Sequence, residues 1–205
     1  IIGFFRRRYA LKLSIDARGI NLYKGSGIGT YTENLLRELL NIDQKNTYSI
    51  FWAGENYGEF KRDNSKIIFT STFYEDYYYP SYIEENSIDL HHIPQNGIGL
   101  NTSYTSPVIV TIHDLIPYIL PETVGRGYLE RFLRDMPLII NNSKAILTVS
   151  EYSKKDILKF FPSVNEDKIF VTPLAANSTY KPLDKQVCID YIKNKYHISS
   201  PFLLY

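Results

Sequence analysis

From residue 12 onward, short apolar runs alternate with longer stretches in which apolar and polar residues are mixed. The short runs are rich in Ile, Val and Phe, which favour strands, and the longer stretches carry apolar residues at helical spacing. This alternation is typical of βαβ units. It predicts an α/β fold built on a doubly wound, mostly parallel, seven-stranded Rossmann-like sheet. The predicted strands are residues 12–17, 48–53, 66–70, 88–93, 107–112, 145–149 and 168–172.

The first predicted helix follows the first strand. Its apolar residues recur at three- and four-residue steps and form a stripe that can pack on a sheet. Glycines precede this stripe, and we expect the helix to begin at Gly29 and Thr30. The residues of the stripe are Ile28, Tyr31, Leu35, Leu39 and Ile42.

Two further helices are predicted between the later strands. One covers residues 127–140, and Pro137 is expected to kink it or end it early because proline lacks a backbone N–H. The other covers residues 151–158 and directly follows a strand. Ser150 stands at that junction and is expected to cap the helix.

The segment after residue 172 has the composition of a domain connector, followed by a predicted helix over 184–195. Residues 201–205 are apolar and are predicted to start a new strand. We therefore divide the chain into an N-terminal extension (1–11), a Rossmann-like domain (12–176), and a connector with the start of a further domain (177–205).

Composition narrows the classes of protein. The chain has 205 residues, 44% of them hydrophobic and 22% charged, which is typical of a folded globular protein. A net charge of +1 argues against nucleic acid as a partner. Cys188 is the single cysteine, so no intramolecular disulfide can form, and a reducing cytoplasmic location is predicted.

The sequence contains no stretch of ~20 apolar residues that could span a membrane. Residues 1–10 join a short apolar run to three arginines, in the reverse of the order found in a signal peptide. Two interpretations stay open for this segment: peripheral sequence, or an interfacial anchor that would bring the protein to the inner face of the cell membrane.

A glycine-rich loop lies between the first strand and the first helix. Glycines at a helix N-terminus allow backbone N–H groups to approach a phosphate, and the helix dipole favours its negative charge. Gly27, Gly29 and Thr30 are therefore candidates for binding a phosphate or diphosphate. The loop lacks the GxGxxG spacing of dinucleotide-binding proteins, which weakens an NAD-dependent alternative. A purely structural turn is the other alternative.

His113 and Asp114 stand together at the end of the strand over 107–112. Ligands of open parallel sheets bind beyond the carboxyl ends of the strands, so both side chains are candidates for ligand contact. The alternative is a hydrogen-bonded histidine beside an aspartate that caps the next turn.

Other strand ends offer further candidates. His91 and His92 should point to opposite faces of the sheet, so at most one of them faces a cleft. Asn96 follows the same strand and is also a candidate for the cleft. Two adjacent histidines without a carboxylate or cysteine at ligand spacing do not predict a metal site. Ser150 and Glu151 mark a third junction, where capping alone is the alternative role.

Four blocks of sequence, taken in order, together resemble glycosyltransferase family 4, a large family of retaining enzymes also called group 1 glycosyltransferases. Each block is weakly specific alone, but their order and separation make the set more specific. The blocks are residues 15–18 (IDAR) with 27–31 (GIGTY), 110–117 (VTIHDLIP), 148–156 (TVSEYSKKD) and 168–174 (KIFVTPL).

The resemblance implies a GT-B architecture, in which two Rossmann-like domains face each other across a catalytic cleft. It implies that Gly27 and Gly29 approach the diphosphate of a UDP- or GDP-linked sugar donor, and that His113 contacts the donor sugar as a catalytic residue. Asp114 and the Ser150–Glu151 junction would line the cleft near the acceptor. The family needs neither a metal nor a cofactor beyond its nucleotide-sugar substrate.

The predicted function is therefore the N-terminal part of an enzyme that transfers a hexosyl unit, with retention, to a saccharide or lipid-linked acceptor. Its partner would be a C-terminal donor-binding domain, and the isolated chain should be inactive because catalysis needs both sides of the cleft. The alternatives are a stand-alone module that binds a phosphorylated or sugar ligand, and a sugar-nucleotide epimerase of the same fold.

Overall fold

The computed structural model describes residues 10–70, 75–100, 102–177 and 179–203. It divides into two compact units, Ile1–Pro173 and Leu174–Tyr205. Of the predicted N-terminal extension, residues 1–9 lie outside the described part of the chain.

A seven-stranded parallel sheet forms the centre of the first unit, in the order β3-β2-β1-β4-β5-β6-β7. Each strand lies within about two residues of its predicted position, so the predicted fold class is confirmed. The order reverses at β1, which pairs with β2 on one side and β4 on the other. The strands are β1 Lys12–Asp16, β2 Thr47–Trp52, β3 Ser65–Phe69, β4 Leu90–Ile93, β5 Val108–Ile112, β6 Ala145–Thr148 and β7 Ile169–Val171.

The helices connect these strands and cover both faces of the sheet. Within the described ranges, three short 3₁₀ helices lie at Gly58–Phe60, Pro121–Thr123 and Glu166–Lys168. The α-helices are α1 Gly19–Leu22, α2 Gly27–Ile42, α3 Glu75–Glu85, α4 Ile116–Ile119, α5 Arg126–Asn142, α6 Glu151–Phe160 and α7 Lys185–Tyr196.

Two apolar layers hold the sheet in place. On one face, Leu36 and Leu40 of α2 pack with Ile15, Ile50 and Trp52 of the strands. On the other face, α5 packs against β4, β5 and β6 through buried Phe132, Met136, Ile139 and Ile140. Each fully buried side chain of this size contributes ~1.5–3 kcal/mol, so burial and not helix propensity determines where these helices lie.

The helix α5 does not end early at Pro137, because it continues through this proline to Asn142. Proline removes one helical hydrogen bond, which would have reached the carbonyl of Leu133. Leu133 is 40% exposed, so this side of the helix is open to water. Met136 and Ile139 on the opposite side are buried, and their packing on the sheet outweighs the lost bond.

The glycine loop also differs from its prediction. It contains the short helix α1, and α2 begins at Gly27, two residues before the predicted start. Ser26 is the N-cap of α2, and its hydroxyl accepts a hydrogen bond from the Gly29 N–H. A serine cap satisfies one of the free N–H groups of the first turn, which explains the earlier start.

The second unit contains α7, which agrees with the predicted helix over 184–195. The Asp184 carboxylate caps it by accepting a hydrogen bond from the Val187 N–H at 3.0 Å. Residues 201–203 form no strand and residues 204–205 are not described, so the start of a further domain at 201–205 stays a prediction. A strand requires a hydrogen-bonded neighbour, and the described part of this unit offers none.

Along the described ranges, no helix is both long and apolar enough to cross a membrane.

Candidate active site at the carboxyl edge of the sheet

The carboxyl ends of β1, β4, β5 and β6 are neighbours along one edge of the sheet. Because all strands are parallel, every residue that follows a strand lies at this edge. The reversal of strand order between β1 and β4 also lies here, and such switch points are where open α/β sheets form ligand crevices. We therefore build the candidate site from the residues that follow these strands.

His113 directly follows β5 and is held through both its backbone and its ring. Its N–H donates to the Asn96 side-chain oxygen at 2.8 Å, and its carbonyl accepts from the Ser153 hydroxyl at 2.9 Å. Its Nε2 lies 2.9 Å from the carbonyl oxygen of Pro94. A carbonyl can only accept, so Nε2 carries the proton.

The protonation state of His113 follows from these contacts. Burial lowers the pKa of His113, while the Pro94 carbonyl and the charge of Asp114 oppose that shift without cancelling it. The ring is therefore neutral near pH 7. A neutral imidazole with a proton on Nε2 has Nδ1 as a hydrogen-bond acceptor. Nδ1 of His113 can therefore accept a hydrogen bond from a ligand hydroxyl.

Asn96 is placed in the loop after β4 to support His113. Its backbone is in the left-handed region at φ 51°, and the following Gly97 has φ 69°. A side chain at Gly97 would collide with Ile139 of α5, so this turn requires glycine. Asn96 itself is 2% exposed, so it reaches the site as a support for the His113 backbone and not as a surface group.

Asp114 caps the turn that leads into α4. Its carboxylate accepts a hydrogen bond from the Ile116 N–H at 2.9 Å, which is the capping role given above as the alternative to ligand contact. The side chain is half-buried, so capping and contact with a ligand are compatible.

Ser150 caps α6, as predicted, by accepting a hydrogen bond from the Ser153 N–H at 3.1 Å. The Ser153 hydroxyl lies 3.1 Å from that of Ser150 and donates to the carbonyl of His113. The N-terminus of α6 is therefore connected to His113 through Ser153. Glu151 is exposed in the first turn of α6.

The glycine turn, residues 27–30 at the start of α2, has some of its backbone N–H groups already bonded within the protein. The Gly29 N–H donates to Ser26 Oγ at 3.3 Å, and the Thr30 N–H donates to the Ser26 carbonyl at 3.1 Å. A side chain at Gly29 would collide with the carbonyl of Tyr23, whereas Gly27 has open space around it. Gly29 therefore has a packing reason to be glycine, and Gly27 is the member of the turn with free approach to its backbone.

His91 and His92 lie on opposite faces of the sheet, as the alternation predicts. His91 bonds Ser14 Oγ through Nδ1 at 2.8 Å, and His92 bonds Thr111 Oγ1 through Nε2 at 2.9 Å. Burial lowers the pKa of His91 to about 4 and that of His92 to about 3. His92 is 6% exposed, so its influence on a ligand at the carboxyl edge would pass through its hydrogen bond to Thr111.

A buried ion pair at the end of β1 was not singled out from the sequence. Arg18 and Asp16 bond at 2.6 Å, and each side chain is 2% exposed. Gln95 donates from Nε2 to the same carboxylate at 2.6 Å, while its Oε1 is buried without a partner among the residues that the structure describes. Removing one member of such a pair leaves a buried charge uncompensated. The signal in the sequence was a carboxylate at the end of the strand with an arginine two residues later.

The predicted residues thus divide into two groups. One group is brought together around His113 and the other lies at the N-terminus of α2. The first group contains His113, Asn96, Asp114 and, through Ser153 or Thr111, Ser150 and His92; the second contains Gly27, Gly29 and Thr30. Glu151 belongs to neither group, because it is exposed beside Ser150 in the first turn of α6.

Comparison with known proteins gives one informative similarity. No known protein-family profile matches the sequence. The chain is similar to O-antigen chain mannosyltransferase B of Escherichia coli, at 30% identity over 94 residues. The match covers 44% of this chain and 23% of the relative, so it accounts for less than a quarter of the relative's length. Together with the parallel sheet, this similarity supports a glycosyltransferase-like fold.

Proposed function

We propose that this chain is the acceptor-side, Rossmann-like domain of a retaining glycosyltransferase of GT-B architecture from family 4. The enzyme would transfer a hexosyl unit from a UDP- or GDP-linked sugar to a hydroxyl group of a saccharide or lipid-linked acceptor. The observation that carries the proposal is His113, a neutral imidazole fixed at the carboxyl edge of the sheet, one strand from the switch point, in a chain that is similar to a mannosyltransferase.

His113 has the properties that a sugar-binding residue needs at this edge. Its Nδ1 can accept a hydrogen bond from a sugar hydroxyl while Nε2 keeps its bond to Pro94. Glycosyl transfer passes through an oxocarbenium-like state with positive charge on the sugar. A neutral ring can orient the sugar without placing a second positive charge beside it.

The N-terminus of α2 is the proposed site for the donor diphosphate. The positive end of a helix dipole and free N–H groups stabilise the negative charge that develops on a leaving diphosphate. The Cα of Gly27 faces open space. Thr30 is exposed, and its hydroxyl can donate a hydrogen bond to a phosphate oxygen. Gly29 would contribute by permitting the close packing of the turn and not by donating its own N–H.

Asp114 and the start of α6 complete the proposed acceptor side. The carboxylate of Asp114 is half-buried, and Glu151 is exposed beside the Ser150 cap. Both carboxylates can accept hydrogen bonds from acceptor hydroxyls. A cytoplasmic location, with contact at the inner face of the membrane through residues 1–10, belongs to the same proposal and is supported by the single Cys188.

The proposal requires a second, donor-binding domain, so the isolated chain should not catalyse transfer. The natural gene product that contains this sequence should be assayed with UDP- and GDP-linked hexoses, with release of free nucleotide as the readout. NMR of the product then reports whether the anomeric configuration of the donor is kept.

Three results would count against the proposal. Turnover by residues 1–205 alone would refute the requirement for a second, donor-binding domain. A product of inverted configuration would refute retention. Binding of a nucleotide sugar by the complete protein without any transfer would favour the stand-alone binding module, and conversion of the sugar nucleotide into its epimer would favour the epimerase.

A further inference from the structure

Tyr31 lies near the start of α2 and contacts both β5 and His113, the residue that directly follows β5. Its ring stands perpendicular to the His113 ring, with an interplanar angle of 89° and 4.7 Å between the centroids. Its hydroxyl lies 3.3 Å from Thr111 Oγ1 and also bonds the side chain of Thr172. The far end of the ring is therefore anchored on β5 and just beyond β7.

His113 needs a second contact to keep its ring in one place. The Pro94 carbonyl fixes Nε2, but a single hydrogen bond allows the imidazole to rotate about its side-chain torsion and exchange one ring nitrogen for the other. The perpendicular ring of Tyr31 packs against the imidazole, so such a rotation would disturb this contact. Edge-to-face contacts of this kind are also attractive in themselves.

We propose that Tyr31 is the positioning residue of His113, and that its aromatic ring keeps Nε2 on Pro94 and Nδ1 directed to the ligand. Tyr31 acts through His113 and does not itself contact the reacting atoms. The kinetic part of this inference rests on the proposed function, whereas the part that concerns the state of the His113 ring does not.

The buried network behind Tyr31 supports this role. Thr111 Oγ1 lies within hydrogen-bond distance of both the Tyr31 hydroxyl and His92 Nε2, so the tyrosine is part of a polar chain across α2, β5 and β4. Burial raises the pKa of Tyr31, and its hydroxyl stays protonated. These hydroxyl contacts help to place the Tyr31 ring, whereas the ring itself makes the contact with the imidazole.

The test is NMR of the histidine rings in the 205-residue chain. Long-range nitrogen–proton spectra report which ring nitrogen carries the proton, and a pH titration reports the midpoint for His113. The charged and titratable groups that face this ring are Asp114 on its own segment, His92 on β4 and Tyr31 on α2. All of them except Tyr31 stay unchanged in the variants.

In the wild type we expect a single tautomer of His113 with the proton on Nε2. Tyr31→Leu should populate both tautomers and raise the titration midpoint by about half a pH unit or more, because water reaches the ring. Tyr31→Met, which fills the space differently, replaces the leucine variant if that variant does not fold. Tyr31→Phe keeps the ring and should retain the wild-type tautomer and midpoint.

A core substitution away from the site serves as the control. Phe60→Leu removes a buried aromatic ring that packs on Trp52 and should lower stability without moving the His113 signals. The inference is overturned if Tyr31→Leu and Tyr31→Met leave the His113 tautomer and midpoint unchanged. It is also overturned if Tyr31→Phe changes them as much as Tyr31→Leu does.

Kinetics of the natural gene product separate this inference from the proposed function. Tyr31→Leu should lower kcat on the order of tenfold or more with little change in KM, since misplacement of a catalytic group acts on the reaction step. Tyr31→Phe should retain most of the activity. If the wild type transfers no sugar but the His113 signals respond as expected, the proposed function fails and the positioning role stands.

Discussion

Acidification from pH 7 to pH 5 should weaken the fold through two buried histidines. The pKa is about 4 for His91 and about 3 for His92, against an ordinary value of 6.5 for both. Between 6.5 and 4 the unfolded chain binds protons at these two residues and the folded protein does not. The stabilisation is therefore complete above pH 6.5 and is lost progressively as the pH falls toward the folded pKa values.

The size of the effect follows from the same values. One pH unit inside this window costs ~1.4 kcal/mol for each histidine, so at pH 5 each costs about 2 kcal/mol and the pair about 4 kcal/mol. That is a large part of the ~5–15 kcal/mol by which domains of this kind are stable. Burial also lowers the pKa of His113, which acts in the same direction.

Urea unfolding followed by circular dichroism at pH 7 and pH 5 measures the loss directly. A variant with His91→Gln and His92→Gln should be less stable at pH 7 but should lose only a minor part of the ~4 kcal/mol between the two pH values. Val110→Ala, a buried substitution without a titrating group, should be less stable at both pH values and keep the full loss. If the double glutamine variant loses as much stability as the wild type, the assignment to these histidines is refuted.

Three further predictions test individual contacts. Gly29→Ala should lower the free energy of unfolding by ~1–3 kcal/mol because the new methyl group collides with the Tyr23 carbonyl. Gly27→Ala places its methyl group in open space and should be neutral or slightly stabilising. Equal effects of the two variants in urea unfolding would contradict this. Arg18→Met should cost ~3–5 kcal/mol by leaving the charge of Asp16 buried without its ionic partner, and a loss below ~1 kcal/mol would show that the bond from Gln95 is enough to hold the carboxylate. Pro137→Ala should raise the melting temperature, since it restores an N–H inside α5 and keeps the buried face; a lower melting temperature would show that the proline ring contributes packing.

Local patterns were sufficient for most of the fold. The strands were predicted because β-branched runs recur between amphipathic stretches, and the Ser150 cap was predicted because a serine stands between a strand and a helical pattern. The course of α5 through Pro137 was not predictable from sequence. The decisive term there is the packing of Met136 and Ile139 on the sheet, which a local pattern does not contain.

The candidate site was predictable only in part. Parallel topology brings His113 and Asn96 to the same edge, so naming strand ends was enough to find them. The sequence could not show that Asn96 supports the His113 backbone. It also could not show that Gln95 contacts the ion pair at the end of β1, because that contact joins residues 79 positions apart.

The activity of a His113→Ala variant tests the central claim most directly. In the natural gene product, with a hexose donor that the wild type uses, this change should lower kcat/KM on the order of a hundredfold. The loss of a half-buried, hydrogen-bonded ring also lowers the melting temperature, but the effect on activity should far exceed the effect on stability. His197→Ala, which removes an exposed histidine of the second unit, is the matched control and should keep wild-type activity. Wild-type transfer rates in the folded His113→Ala protein would contradict the account.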